Sequence, residues 1–162
     1  MATTIHEVLQ DIRLKASTEK EKGTDFERLM KLWFLTDPRF SELEKVWLWE
    51  EFPGRKDFGG KDLGIDLVAR TEYGDYWAIQ CKCYAEDAQI SKGSVDSFVA
   101  NASRTFTEDE TFQTKEFSNL VWVQTNNKRW GSNAIEAIQG LSKPFNRISL
   151  YDLEIQLSIG TS

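Results

Sequence analysis

The sequence predicts an α/β domain in which helices flank a mixed central sheet. Apolar residues recur at helical spacing in four segments, and short β-branched or aromatic runs lie between these segments. The resulting order is two helices, three strands, a helix, a strand, a helix and a strand, which is typical of an α/β domain. The 162 residues, 40% of them hydrophobic, suffice for one domain with a substantial core.

Two helices are expected first. The first spans Ile5 to Ala16, where apolar residues recur every three or four positions between charged ones. The polar stretch from Ser17 to Lys22 is interpreted as a connector. The second helix then begins at a cap formed by Thr24 or Asp25 and ends just before Pro38, because proline disfavours a helical residue in front of it.

Three strands are predicted next. Val46 to Phe52 is aromatic and β-branched, as strands often are. A glycine-rich basic loop, Pro53 to Lys61, separates it from a strand at Leu63 to Arg70. A turn at residues 72–75 leads back into a strand from Tyr76 to Tyr84, so these two strands form a hairpin.

The second half of the chain supplies the remaining elements. Apolar residues from Val95 to Phe106 predict a helix with one apolar face. The run Leu120 to Val123 is typical of a buried strand. A helix from Ala134 to Leu141 and a final strand from Ile148 to Tyr151 complete the domain.

Composition excludes several classes of protein. Aromatic residues make up 12% of the chain, which rules out an intrinsically disordered tail, and two cysteines are too few for a disulfide scaffold. The apolar runs fall far short of the ~20 residues that span a bilayer. No signal peptide is expected at the start, so the expected location is the cytoplasm. The net charge of −6 argues against tight DNA binding, since phosphate contacts dominate that affinity.

The predicted hairpin carries polar groups where burial is expected. Because side chains alternate along a strand, Gln80 and Lys82 face away from Cys81. On the partner strand Leu63, Ile65 and Leu67 are expected to form one apolar face, which leaves Asp66 on the other. Buried polar and charged groups are costly unless they are paired. The pattern therefore brings a carboxylate, an amide oxygen and an ammonium group into one small volume.

These groups suit hydrolysis of a phosphodiester. Asp66, the amide oxygen of Gln80 and the backbone carbonyl of Cys81 are candidate ligands of Mg²⁺, which prefers oxygen. Lys82 could lower the cost of forming hydroxide or stabilise charge that develops at phosphorus. Glu27 lies at the edge of the apolar stripe of the second helix. It could orient the groups that hold the metal ion, or bind a second metal ion itself.

Several motifs, in this order, resemble the Mrr-like branch of the PD-(D/E)XK nuclease superfamily. They are Gly23-Thr-Asp-Phe-Glu27, Asp62-Leu-Gly-Ile-Asp66, Gln80-Cys-Lys82, Val121-Trp-Val-Gln-Thr125 and Ile148-Ser-Leu-Tyr-Asp152. The resemblance covers residues 20–155. It implies a restriction-endonuclease-like αβββαβ core and DNA cleavage with Mg²⁺, for which Mn²⁺ could substitute. It also implies catalytic roles for Asp66, Gln80, Lys82 and Glu27. Gln80 stands where a carboxylate is usual, which leaves one negative charge fewer for a metal ion.

A narrower resemblance is to the amino-terminal nuclease module of single-chain Type ISP restriction-modification enzymes. It implies a leading helix and connector at 1–22, a nuclease core at 23–155 and a tail or linker at 156–162. The implied partners are double-stranded DNA, helicase-like ATPase and methyltransferase domains of the same chain, and a second nuclease copy for double-strand cleavage. ATP and S-adenosylmethionine would bind only to those other domains.

Six basic residues are candidates for a rim that faces DNA phosphates, with solubilising surface charge as the alternative. They are Arg55, Lys56, Lys61, Lys92, Lys128 and Arg129. Because the chain is acidic overall, we expect the domain alone to bind DNA weakly and in a salt-sensitive way.

Other interpretations of the sequence remain open. The chain could be a standalone nuclease that acts on modified DNA, or a catalytically silent module for DNA binding or docking. Zinc requires four ligands, so Cys81 and Cys83 are expected to pack in the core, and His6 is expected on the surface.

Overall fold

A computed structural model describes residues 4–59, 63–85 and 87–154. Within these ranges the helices are α1 (Ile5–Lys15), α2 (Glu19–Thr36), α3 (Lys92–Ala102) and α4 (Ser132–Glu136). The strands are β1 (Leu43–Leu48), β2 (Leu67–Thr71), β3 (Tyr76–Lys82), β4 (Thr105–Thr107), β5 (Thr114–Gln124) and β6 (Phe145–Ile148). None of the helices in this part of the chain is both long and apolar enough to cross a membrane.

The six strands form one mixed sheet. Its order is β1-β2-β3-β5-β4, and β6 also pairs with β5. The pairs β1–β2, β2–β3 and β4–β5 are antiparallel, whereas β3–β5 and β5–β6 are parallel. The predicted α/β class with a mixed sheet flanked by helices is therefore confirmed.

The alternation of side chains along β3 separates two hydrophobic clusters. Trp77, Ile79 and Cys81 pack with α1 and α2 on one face of the sheet. Tyr76 and Ala78 belong to the cluster that includes α3 and α4 on the other face. β3 is buried on both faces because helices cover both sides, so a polar residue in its second half is conspicuous.

The second helix begins earlier than the sequence predicted. Thr18 accepts a hydrogen bond from the backbone N–H of Glu21, and the Glu21 carboxylate accepts from the backbone and hydroxyl of Ser17. This pair of caps, followed by the strong helix formers Glu and Lys, offsets the cost of Gly23 inside the helix. The expected connector is thus helical, and the expected boundary after residue 22 falls inside α2.

The predicted strand boundaries are wrong on either side of the basic loop. β1 ends at Leu48, and residues 49–51 form a 3₁₀ turn. β2 starts only at Leu67, because Gly64 adopts a left-handed backbone with φ of 79° that a regular strand does not allow. Ile65 and Leu67 consequently pack in opposite clusters rather than on one face.

Three further differences lie in the second half of the chain. Phe106 belongs to β4 rather than to the helix, although it still packs in the same cluster as Phe98. β5 is far longer than the four residues expected, and α4 ends at Glu136. The last strand ends at Ile148, and residues 150–154 are helical.

We expect Met30→Ala to lower the free energy of unfolding by about 2–5 kcal/mol, because Met30 is fully buried between α2 and the sheet. Leu32→Ala on the same helix is the control, since that side chain is 59% exposed and its loss should change the free energy by less than about 0.5 kcal/mol. Urea unfolding measures both. Equal losses in the two variants would contradict the packing of α2 described here.

Candidate active site

The site forms where β2 and β3 stop pairing. Asp66 immediately precedes β2, and its backbone N–H donates to the carbonyl of Ile79 at 2.9 Å. This bond is shifted by one residue from the register of β2, in which Leu67 lies opposite Ile79. One step further, the backbone N–H of Cys81 donates to Asp66 Oδ2 at 2.8 Å. The Asp66 carboxylate thus accepts the hydrogen bond that a backbone carbonyl of β2 would accept if the two strands continued to pair.

The backbone carbonyl of Cys81 points to the same strand edge as Asp66. In a strand, the N–H and C=O of one residue share an edge. The N–H of Cys81 points to Asp66, whereas the carbonyl of the next residue, Lys82, accepts from the N–H of Thr125 on the β5 side at 3.2 Å. The predicted oxygen of Cys81 therefore lies on the Asp66 side of β3.

The amide oxygen of Gln80 is buried without a hydrogen bond. The residue is 4% exposed, and Oε1 has no hydrogen-bond partner among the described residues. The space beside this oxygen exists because residue 64 is glycine: a Cβ there would lie 3.4 Å from Oε1. A buried acceptor without a donor is costly. An uncharged oxygen of this kind is a ligand that hard cations accept.

Three charged residues of the site influence the pKa of the Cys81 thiol. Burial raises the pKa of Cys81 well above its usual value, and the negative charges of Asp66 and Glu27 raise it further, while Lys82 opposes them. Glu27 is half-buried on α2, which covers the face opposite Gln80. The Cys81 side chain packs in the hydrophobic cluster beneath α1 and α2, as predicted for a core cysteine.

A metal ion at this site would depend on amide and carbonyl oxygens. In the described ranges no group of three or more His, Cys, Asp or Glu side chains is arranged to hold a metal ion. Asp66 supplies the carboxylate, and Gln80 with the Cys81 carbonyl supplies uncharged oxygens. The donor set therefore fits Mg²⁺ or Mn²⁺ in chemistry but carries little negative charge.

The predicted basic rim divides into two groups. Lys56 pairs with Asp109 at 2.8 Å, and Lys92 pairs with Asp96 at 2.7 Å, so both ammonium groups already have carboxylate partners. Arg55 is half-buried. Lys61 lies outside the described residues.

Lys128 and Arg129 form the second group and follow the end of β5. β5 pairs with the end of β3, and Lys82 lies opposite Gln124. These two basic residues are therefore close in the fold to the candidate catalytic lysine.

A buried polar network beside Lys82 was not anticipated from the sequence. Gln124 is 3% exposed and Asn126 is 1% exposed. Oε1 of Gln124 accepts from the indole N–H groups of Trp122 and Trp130, both at 3.1 Å. The only sequence signal is a polar Gln-Thr-Asn run directly after a buried strand.

The Asn126 side chain extends this network to the segment that follows β3. Its amide donates to the carbonyls of Ala85 and Ala88, at 2.9 and 3.2 Å, and Thr125 Oγ1 donates to the carbonyl of Tyr84 at 2.8 Å. These hydrogen bonds join the segment that follows β3 to the segment that follows β5, at the end of the strand pair where Lys82 lies.

A family profile described as restriction endonuclease, of the Mrr catalytic type, matches residues 35–157. The chain belongs to this restriction endonuclease family. The match covers about three quarters of the chain and includes Asp66, Gln80 and Lys82, whereas Glu27 lies before it. A search of curated proteins finds no match.

Two solved structures share the fold. The DNA modification-dependent restriction endonuclease AspBHI has a TM-score of 0.53 and 16% sequence identity, over 96% of this chain and 35% of that one. MspJI restriction endonuclease, solved in complex with a 27-mer oligonucleotide, has a TM-score of 0.52 and 18% identity, over 96% of this chain and 32% of that one. The chain thus spans about a third of the length of either enzyme.

We expect Gly64→Ala to reduce metal-supported DNA cleavage while the protein remains folded, because the new methyl group would cover Gln80 Oε1. Gly74→Ala is a matched control. Its φ of 86° causes the same backbone strain, of about 1–2 kcal/mol, but nothing lies within 4 Å of a Cβ at that position. Urea unfolding should show similar losses of stability, and plasmid cleavage should fall only for Gly64→Ala. Equal cleavage by both variants would argue against a role for the Gln80 oxygen.

Proposed function

We propose that the chain is a divalent-metal-dependent endonuclease that hydrolyses phosphodiester bonds of DNA. The observation that carries this proposal is the buried Gln80 oxygen, which lacks a hydrogen-bond partner among the described residues. It belongs to the residue before Cys81, whose backbone N–H donates to the Asp66 carboxylate. Membership of the restriction endonuclease family supports the reaction class. The oligonucleotide bound to MspJI supports DNA as the substrate by analogy of fold.

Asp66, Gln80 and the carbonyl of Cys81 hold the metal ion in this proposal, with Mg²⁺ as the physiological ion and Mn²⁺ as a substitute. When bound, such an ion neutralises charge on the phosphate and lowers the pKa of water. The hydrogen bond from the Cys81 N–H orients the Asp66 carboxylate before any ion arrives. Gly64 leaves the approach to Gln80 open.

Lys82 and Glu27 complete the proposed site. Lys82 is half-buried at the end of β3, two residues after Gln80 and on the same face. Its ammonium group stabilises negative charge on the attacked phosphate and orients the attacking water. In this proposal Glu27 acts from α2 as an orienting carboxylate; its negative charge contributes to the raised pKa of Cys81, the residue between Gln80 and Lys82 in sequence.

The proposed parent of this chain is a Type ISP restriction-modification enzyme. In such an enzyme, ATPase and methyltransferase domains bind ATP and S-adenosylmethionine and bring the nuclease to DNA. A second nuclease copy then cuts the other strand, since one site attacks one phosphodiester at a time. The resemblance of the leading helix and the aromatic first strand to those modules supports this context.

A second candidate function is cleavage of modified DNA. AspBHI, which shares the fold over 96% of this chain, is described as DNA modification-dependent. In that case the chain would act with a reader of the modified base rather than with an ATPase.

We expect Asp66→Asn and Lys82→Met each to reduce cleavage of supercoiled plasmid at least about 100-fold. The first removes the charged ligand of the metal ion, and the second removes the ammonium group that stabilises charge on the phosphate. Lys115→Met is the control. It removes the same side chain from β5 at a position about 30 Å along the strand from Gln124. The assay uses the parent protein with Mg²⁺ or Mn²⁺, on methylated and unmethylated plasmid, with and without ATP.

Cleavage by both site variants at the rate of Lys115→Met would show that the site is elsewhere. A requirement for ATP favours the Type ISP parent, whereas a requirement for methylated plasmid without ATP favours the second candidate. A parent protein that binds DNA but never cuts it, with either metal ion, would support a catalytically silent module instead.

A further inference from the structure

A basic groove lies beside the candidate site. It has a volume of about 510 Å³ and runs between the chain that follows β5 and the end of β6. Its polar lining includes Asn127, Lys128, Arg129, Arg147, Tyr151 and Asp152. The Asp152 carboxylate is engaged by the backbone and hydroxyl of Ser149, at 2.9 and 3.1 Å. Three cationic side chains therefore line the groove with one acidic residue, whose carboxylate accepts two hydrogen bonds from Ser149.

The cations of this groove are not neutralised by the described part of the chain. Lys128, Arg129 and Arg147 form no ion pair with any described carboxylate, unlike Lys56 and Lys92. Arg147 instead lies over the ring of Trp130, with its guanidinium carbon 5.0 Å from the ring centroid. Stacking of this kind orients the guanidinium and leaves its N–H donors available to an anion.

The groove continues the face of the sheet that carries Gln80 and Lys82. In the register, Lys82 lies opposite Gln124, and Trp122 lies opposite Arg147 on the next strand. Two strand spacings across and two residues along correspond to about 12 Å between the Cα atoms of Lys82 and Arg147. With a rise of about 3.4 Å per nucleotide, a DNA strand that crosses Lys82 reaches this groove within a few nucleotides.

Gln124 holds one wall of the groove in place. Its amide nitrogen donates to the side chain of Asn126 at 2.8 Å and to the carbonyl of Lys128 at 3.2 Å, and its oxygen accepts from Trp130. The residue on which Arg147 stacks and the backbone that carries Lys128 are thus bonded to the same buried side chain. A preorganised site loses less entropy when a ligand binds.

We propose that this groove binds the sugar–phosphate backbone of the DNA strand that flanks the phosphodiester to be cut. Arg147, Lys128 and Arg129 contact its phosphates, and Gln124 is a positioning residue for them. The inference rests on the proposed nuclease function and deepens it, because it assigns the direction in which the strand leaves the site. It also explains how a protein with a net charge of −6 can hold DNA, since basic groups without carboxylate partners gather at one place.

The test is the salt dependence of DNA binding by the protein in EDTA, where cleavage does not interfere. The probe is a fluorescein-labelled duplex of about 20 base pairs, followed by anisotropy between about 50 and 200 mM NaCl. Arg147→Gln should weaken binding by roughly 5-fold at the lowest salt and reduce the slope of log K against log salt by about 0.9. Arg147→Lys should keep most of that slope.

Arg104→Gln is the matched control, because Arg104 also lies over an aromatic ring, Phe58 at 4.9 Å, near the start of β4. It removes the same charge about 20 Å away along β5 and should leave the slope unchanged. If Arg147→Gln and Arg104→Gln give the same slope and affinity while Asp66→Asn still abolishes cleavage, the groove assignment is wrong and the nuclease proposal stands. If the unaltered protein binds no duplex even at the lowest salt, the groove assignment also falls.

Discussion

The hydrogen bond from the backbone of Cys81 to the Asp66 carboxylate is the contact on which the candidate site depends. It forms where β2 has not yet begun and β3 still continues, so that a side chain takes the place of a strand partner. Gly64 makes this possible, because its left-handed backbone turns the chain just before Asp66. One local break in the ladder therefore orients the Asp66 carboxylate toward Cys81 and leaves space at Gln80.

This arrangement also sets the electrostatics of the site. A glutamine in place of a second carboxylate lowers the negative charge available to a cation, and Glu27 lies on α2, on the other face of the sheet. With glutamine at position 80, β3 places no carboxylate on the face that Gln80 shares with Lys82. The low negative charge of the proposed ligands predicts weak ion binding. DNA phosphate in the site would strengthen it by supplying further oxygen ligands.

The sequence predicted the parts of the site that depend on local regularity. Alternation along β3 is sufficient to place Gln80 and Lys82 on one face, and the order of elements is sufficient for the α/β class. The start of α2 could not be predicted, because the glycine in the helix suggested a break while the caps at Ser17 and Thr18 decided the boundary. The Gln124–Asn126 network could not be predicted either, since Asn126 bonds to Ala85 across 41 positions of sequence.

Calorimetric titration of the protein with Mn²⁺ tests most directly whether Asp66 and Gln80 hold one divalent cation. We expect a single weak site that disappears in Asp66→Asn and becomes tighter in Gln80→Glu, which restores a negative charge at the ligand position. Cys83→Ser, a change in the chain just beyond Lys82, should leave the titration unaltered. If the Mn²⁺ affinity is the same in the unaltered protein, in Asp66→Asn and in Gln80→Glu, then Asp66 and Gln80 do not hold the ion.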